Sequence, residues 1–158
     1  MSLKYFEGWF RAKGQGTGAM ETEAARKAHE IQSIYVVAEY AGEIPKSFLE
    51  INLKVGYIAA CFLDAQRRVF QTYQFQKVDA KRYFLCDAVH LEFEKGSDRT
   101  VLVTSYTFTP DGKMKIRKEN RLTKVIETAE NHIDVSENWE DEPQFGQYQR
   151  FLRAERGQ

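Results

Sequence analysis

From Phe48 to Phe108 the sequence runs as five strand-like segments joined by short turns, and this run limits the fold more than any other feature. Leu49, Ile51, Leu53 and Val55 alternate with Glu50, Asn52 and Lys54, the period of two that gives a strand one dry and one wet face. Tyr57 to Leu63 is apolar throughout, which predicts a central strand covered on both sides. Asp64 to Arg67 has the length and polarity of a hairpin connection to a strand from Val69 to Phe75. Strands from Tyr83 to Phe93 and from Thr100 to Phe108 follow, with Glu94 to Asp98 as the turn between them.

Beyond this run, Thr109-Pro110-Asp111-Gly112 is the strongest local turn signal. Proline presets the first turn angle and glycine accepts the positive φ that closes it. Lys113 to Leu122 is expected to return with Met114 and Ile116 inward, and further strands are expected at about 124–128 and 132–139. After the acidic turn from Glu140 to Pro143, residues 145–154 read as a strand, with a helix as the alternative because Phe145, Tyr148 and Leu152 share a helical face.

At the start, aromatics at 5, 6, 9 and 10 give way to Gly14, Gly16 and Gly18. Glycine at every second position predicts a flat ribbon against which another backbone or side chain passes closely. A phosphate-cradling loop needs a strand–loop–helix context that these residues lack. Ala19 to Glu30 has helical spacing and acids in the first turn, and a strand is expected over 31–40 before Gly42 and Pro45.

The reading is therefore mainly β: an antiparallel up-and-down meander closing into a barrel of about eight to ten strands, with a short helix near residues 20–30. The chain, 158 residues, has the length of a single domain. No helical layer is available to cover a flat sheet, and a long uncovered sheet curls and closes.

Lys plus Arg equals Asp plus Glu at 23 each, so nothing in the charge balance recruits nucleic acid. Hydrophobic runs stay short of the ~20 residues a membrane-spanning helix needs, and no signal peptide is recognisable. Cys61 and Cys86 lie inside strand-like runs without CxxC spacing, so free thiols and a reducing, cytoplasmic location are expected. No HxH or HExxH pattern occurs, and His29 and His132 are far from His90 in sequence; neither metal nor cofactor is expected, His90 reads as solvent-facing and His29 as a surface pair with Glu30.

Asp87 is the most informative polar residue, because strict alternation puts it on the apolar face between Leu85 and Val89. There it must be paired, protonated or facing a wet cavity; a β-bulge at 86–88 is the alternative that turns it to solvent. Tyr73, Phe75, Tyr83 and Tyr106, with Gln71 among them, either pair across strands to hold the sheet or line an apolar hollow. Lys113, Lys115, Arg117, Lys118, Arg121 and Lys124 form a basic ribbon, and Glu137, Glu140, Asp141 and Glu142 an acidic one around Trp139. Both read as solvated faces, with a docking patch as the alternative should Trp139 be exposed.

In outline the chain resembles the calycin superfamily, the lipocalin-like and fatty-acid-binding-like barrels. Phe6-Glu7-Gly8-Trp9-Phe10 is similar to the Gly-x-Trp of a lipocalin first strand, with Gly8 and Trp9 adjacent here, and Arg150 or Arg153 is placed to be the arginine across that tryptophan. The resemblance implies a central cavity for a small hydrophobic or aromatic molecule, with Asp87, Tyr73, Tyr106, Gln71, Phe75 and Tyr83 as its lining. Two alternatives stand beside it. One is a lyase, isomerase or cyclase using Asp87 as general acid or base in the same cavity; the other is a protein-interaction module with a filled core. A homodimer is the further partner considered.

Overall fold

The computed structural model describes residues 1–156. In chain order the elements are β1 (Ser2–Phe10), β2 (Gln15–Met20), α1 (Thr22–Glu30), β3 (Tyr35–Ala41), β4 (Ile44–Asn52), β5 (Tyr57–Leu63), β6 (Val69–Lys77), β7 (Arg82–Phe93), β8 (Thr100–Phe108), β9 (Lys113–Asn120), β10 (Val125–His132) and β11 (Trp139–Asp141). A 3-10 turn over Ser136–Asn138 precedes β11. All strands join one antiparallel sheet in the order β10-β9-β8-β7-β6-β5-β4-β3-β1-β2, and β11 pairs with the start of β7.

The meander predicted from alternation is present, with β3 to β10 pairing in succession along the chain. The barrel is not closed: β2 and β10 are two separate edges. Closure is one way to cover a long sheet, and here the chain covers its sheet on both faces instead. On the outer face the β1–β2 hairpin folds back over β3, β4 and β5. Ser2 to Phe6 pair with β3, whereas Gly8 to Phe10 pair only with β2. Trp9 stacks on Phe48 with ring centroids 4.5 Å apart, above a layer of Phe6, Val36, Ala38 and Cys61. Arg11, beyond Trp9, pairs with Glu50 and reaches the Cys61 sulfur at 3.6 Å.

The glycine ribbon makes this fold-back fit. A Cβ on Gly16 would lie 2.3 Å from the Phe6 ring, and one on Gly14, whose φ is +58°, would lie 2.5 Å from the Arg67 Cβ. The close approach expected from the spacing is thus made by an aromatic ring and a turn, with no phosphate loop.

On the inner face Leu49, Ile51, Ile58, Phe75 and Leu85 are fully buried, and α1 adds Ala25 and Ala28. The helix begins at Thr22, and the chain turns through Gln32 at φ 58° before β3 starts at Tyr35. Val55, expected to continue the alternation, is exposed in the turn after β4. The two late strands expected at 124–128 and 132–139 are one strand, β10, followed by the short β11. Residues 145–154 form neither strand nor helix: i-to-i+3 turns such as Phe151 N–H to Tyr148 C=O carry this segment across the inner face. Both cysteines are free, Cys61 fully buried. Among the described residues no helix is long and apolar enough to cross a membrane.

Candidate functional site

Register decides which predicted side chains can meet. Tyr73, Ala88, Tyr106 and Ile116 lie opposite one another across β6 to β9, and Gln71, His90, Thr104 and Lys118 form the next inner row. Phe75 opposes Leu85 on the same face, but Gln74 opposes Asp87, leaving Cys86 as an extra residue in β7. This β-bulge reverses the alternation. Asp87 therefore belongs to the outer row Gln74–Asp87–Thr107–Lys115–Glu130, where the Thr107 hydroxyl donates to it at 3.3 Å. Its expected place in the apolar wall is corrected accordingly, and the acid–base role argued from that place has no geometric support. Gln71, Tyr73, Phe75, Tyr83 and Tyr106 all share the inner face.

Four of these five are occupied by the chain itself. The Tyr73 hydroxyl donates to the Ala154 carbonyl oxygen at 2.5 Å, and Gln71 Nε2 donates to the same oxygen at 2.9 Å. Gln71 Oε1 lies 3.3 Å from His90 Nδ1, so His90 is half-buried on the inner face and not the surface residue expected. Phe151 meets Phe75 edge-on at 5.0 Å and Tyr83 at 6.2 Å. The buried Tyr83 hydroxyl has no hydrogen-bond partner, and burial pushes it up to about 12.

The segment that fills the concavity is fastened by a group that charge pattern alone hid. Glu140 is 2% exposed, against the expectation of a solvated acidic ribbon. Its Oε1 accepts from Arg153 at 2.9 Å and from Arg156 at 2.5 Å, and Arg150 lies 3.5 Å from Oε2. Arg156 also donates to the Arg150 carbonyl at 2.8 Å and lies over the Phe75 ring at 5.0 Å. A buried carboxylate needs such partners; arginines at 150, 153 and 156 downstream of an acidic turn were the available signal. Arg150 and Arg153 thus serve Glu140, and neither packs across Trp9. Trp139 is half-buried, edge-on to Phe84 at 4.8 Å with the Arg82 guanidinium over its ring, so it is no exposed patch.

A second polar chain holds the other end of the segment. His29 Nδ1 lies 2.8 Å from the Tyr35 hydroxyl, which lies 2.9 Å from the Tyr148 hydroxyl. Burial raises Tyr35 and Tyr148 and lowers His29, which favours the neutral imidazole beside the Tyr35 hydroxyl. Burial and the neighbouring Tyr148 push Tyr5 up to about 12. His29 is therefore part of the core's polar wiring, not a surface partner of Glu30.

Tyr106 is the predicted residue that faces open space. It lines a cleft of about 420 Å³ with Met114, Ile133, Asp134, Glu137, Asn138 and Arg156, between the inner face of β8–β9 and the chain leading to β11. Tyr106 and Met114 come from facing strands, while the buried Asn138, whose amide donates to the Leu85 carbonyl at 3.0 Å, fixes the opposite wall. A larger hollow of about 550 Å³ lies on the outer face of β8–β10 among Lys115, Arg117 and Glu130. Among the described residues no three His, Cys, Asp or Glu side chains gather as a metal site. Comparison with family models, curated proteins and solved structures gives no match for this chain.

Proposed function

We propose that the protein binds a small, mainly apolar molecule in the cleft beside Tyr106, a calycin-like activity moved from the middle of the sheet to its open end. The observation that carries this reading is the cleft itself. Its volume falls in the range of small-molecule sites, and it sets Tyr106, Met114 and Ile133 against a few convergent polar groups. The acids Asp134 and Glu137 at its margin favour a neutral or cationic guest over an anionic one.

The test is titration with a neutral naphthalene fluorophore. A saturable gain in fluorescence, lost in Met114→Trp and in Glu137→Trp with far-UV circular dichroism unchanged, supports the reading. A probe that gains nothing, or binds both variants as well as the parent, overturns it. That result would favour the second reading, a protein-interaction module, for which the observation is the Tyr148 and Phe151 rings seated inside the concavity.

A further inference from the structure

Strand β10 leaves the sheet with an edge built to accept another strand. Its eight residues pair with β9 in unbroken register, from Val125 opposite Asn120 to His132 opposite Lys113, and all eight are exposed. Among the described residues nothing pairs with its other side. The Ile133 N–H bonds to the Gly112 carbonyl. Continuing that ladder, odd-numbered residues of β10 bond to β9, while Ile126, Thr128, Glu130 and His132 direct their backbone groups to the free side. The His132 N–H is taken by the Asn131 side chain at 2.9 Å. Ile126, Thr128 and Glu130 remain unpaired in the strand direction.

Such an edge is ordinarily blunted by proline, a bulge or a covering element, and β10 has none of these. It has two acids. Glu127 and Glu130, three positions apart, point to opposite faces. Two antiparallel copies of β10 can pair only with outward, even-numbered residues opposite one another, so their two longest registers set Glu127 against Ala129 or Asn131 and Glu130 against Ile126 or Thr128, and neither glutamate gains a countercharge from a second copy. On its occupied side β10 meets the complementary pattern: Lys118 lies opposite Glu127 and Lys115 opposite Glu130, with Lys115 and Lys113 both 3.8 Å from the Glu130 carboxylate. Glu127 makes no ion pair among the described residues, and Val125 and Ile126 beside it are 51% and 53% exposed, one on each face.

We infer that the free edge of β10 takes up, by strand addition, an extended basic segment of another protein carrying two lysines or arginines three positions apart. Backbone hydrogen bonds at Ile126, Thr128 and Glu130 supply the pairing, and the two glutamates set its register. The inference stands apart from the cleft, to which β10 contributes no residue.

A fluorescein-labelled peptide with the sequence of residues 113–120 carries the required pattern and serves as the probe, read by anisotropy on the full chain. Saturable binding is expected, weakened at least tenfold by Thr128→Pro, which removes an outward N–H and leaves the β9 ladder intact. The Glu127→Lys, Glu130→Lys double variant should lose this peptide and gain one in which the residues at positions 115 and 118 are glutamate. No binding at about 1 mM peptide, or binding unaltered by Thr128→Pro and by the charge swap, overturns the proposal. Thr128-dependent dimerisation of the chain itself in light scattering would overturn the assigned occupant.

Discussion

The Tyr73 hydroxyl donates a 2.5 Å hydrogen bond to the carbonyl oxygen of Ala154, 81 positions later in the chain. That bond ties the middle of the sheet to the segment lying inside it. It also explains why a ring that alternation aims at a cavity meets protein instead.

Removing that hydroxyl tests how the segment is held. Tyr73→Phe should lower the unfolding free energy by about 1 kcal/mol, since Gln71 still satisfies the Ala154 oxygen. Urea denaturation gives the magnitude. Limited trypsin digestion should show faster cleavage after Arg150 and Arg153 than in the parent.

Glu140→Ala should cost about 3–5 kcal/mol, because it strands the buried Arg156, whose side chain is fully covered. Arg150→Ala should cost less than about 0.5 kcal/mol, since that arginine is 75% exposed in its pair with the same carboxylate. Equal losses in the two variants, measured by urea denaturation, would contradict the buried clamp.

The pH dependence follows from His29. Burial lowers its folded-state pKa below the ordinary 6.5, so the unfolded chain binds this proton more readily than the folded one. Stability from this group is complete above pH 6.5 and is lost as the pH falls from there through the lowered folded value. Urea midpoints between pH 7.5 and pH 5 should fall in the parent, with a shallower slope in His29→Gln.

Gly16→Ala should destabilise by about 1–3 kcal/mol, because the added methyl enters the Phe6 ring and the hairpin must lift from the outer face. Thermal unfolding and quenching of Trp9 fluorescence would report both effects.

Asp87→Asn should change stability by less than about 0.5 kcal/mol, as expected for a half-exposed residue outside the core. It should leave binding of the neutral fluorophore unchanged. A loss of binding would return Asp87 to the site.

Much of this was legible in the residues. Tyr57 to Leu63 was readable as a central strand, Thr109 to Gly112 as a turn, and Gly16 as a place of close approach. Tyr73, Phe75, Tyr83 and Tyr106 were read as cross-strand pairs or as the lining of a hollow, and the register puts all four on the inner face. For Asp87 alternation left two placements, the apolar wall or a bulge at 86–88, and the structure takes the second: one inserted residue, Cys86, reverses the side chains that follow it. Glu140 was misread because its partners lie 10, 13 and 16 positions downstream, on turns with no period to read.

The amino-acid order alone therefore determined the strands of the central meander and their turns, since those depend on neighbours only a few residues apart. Tertiary structure decided that the sheet stays open, that residues 145–156 cross its inner face, and that a cleft is left beside Tyr106. Each of these rests on contacts such as Tyr35 with Tyr148, 113 positions apart. Such contacts depend on how curvature and volume balance across the whole molecule, which no local pattern encodes.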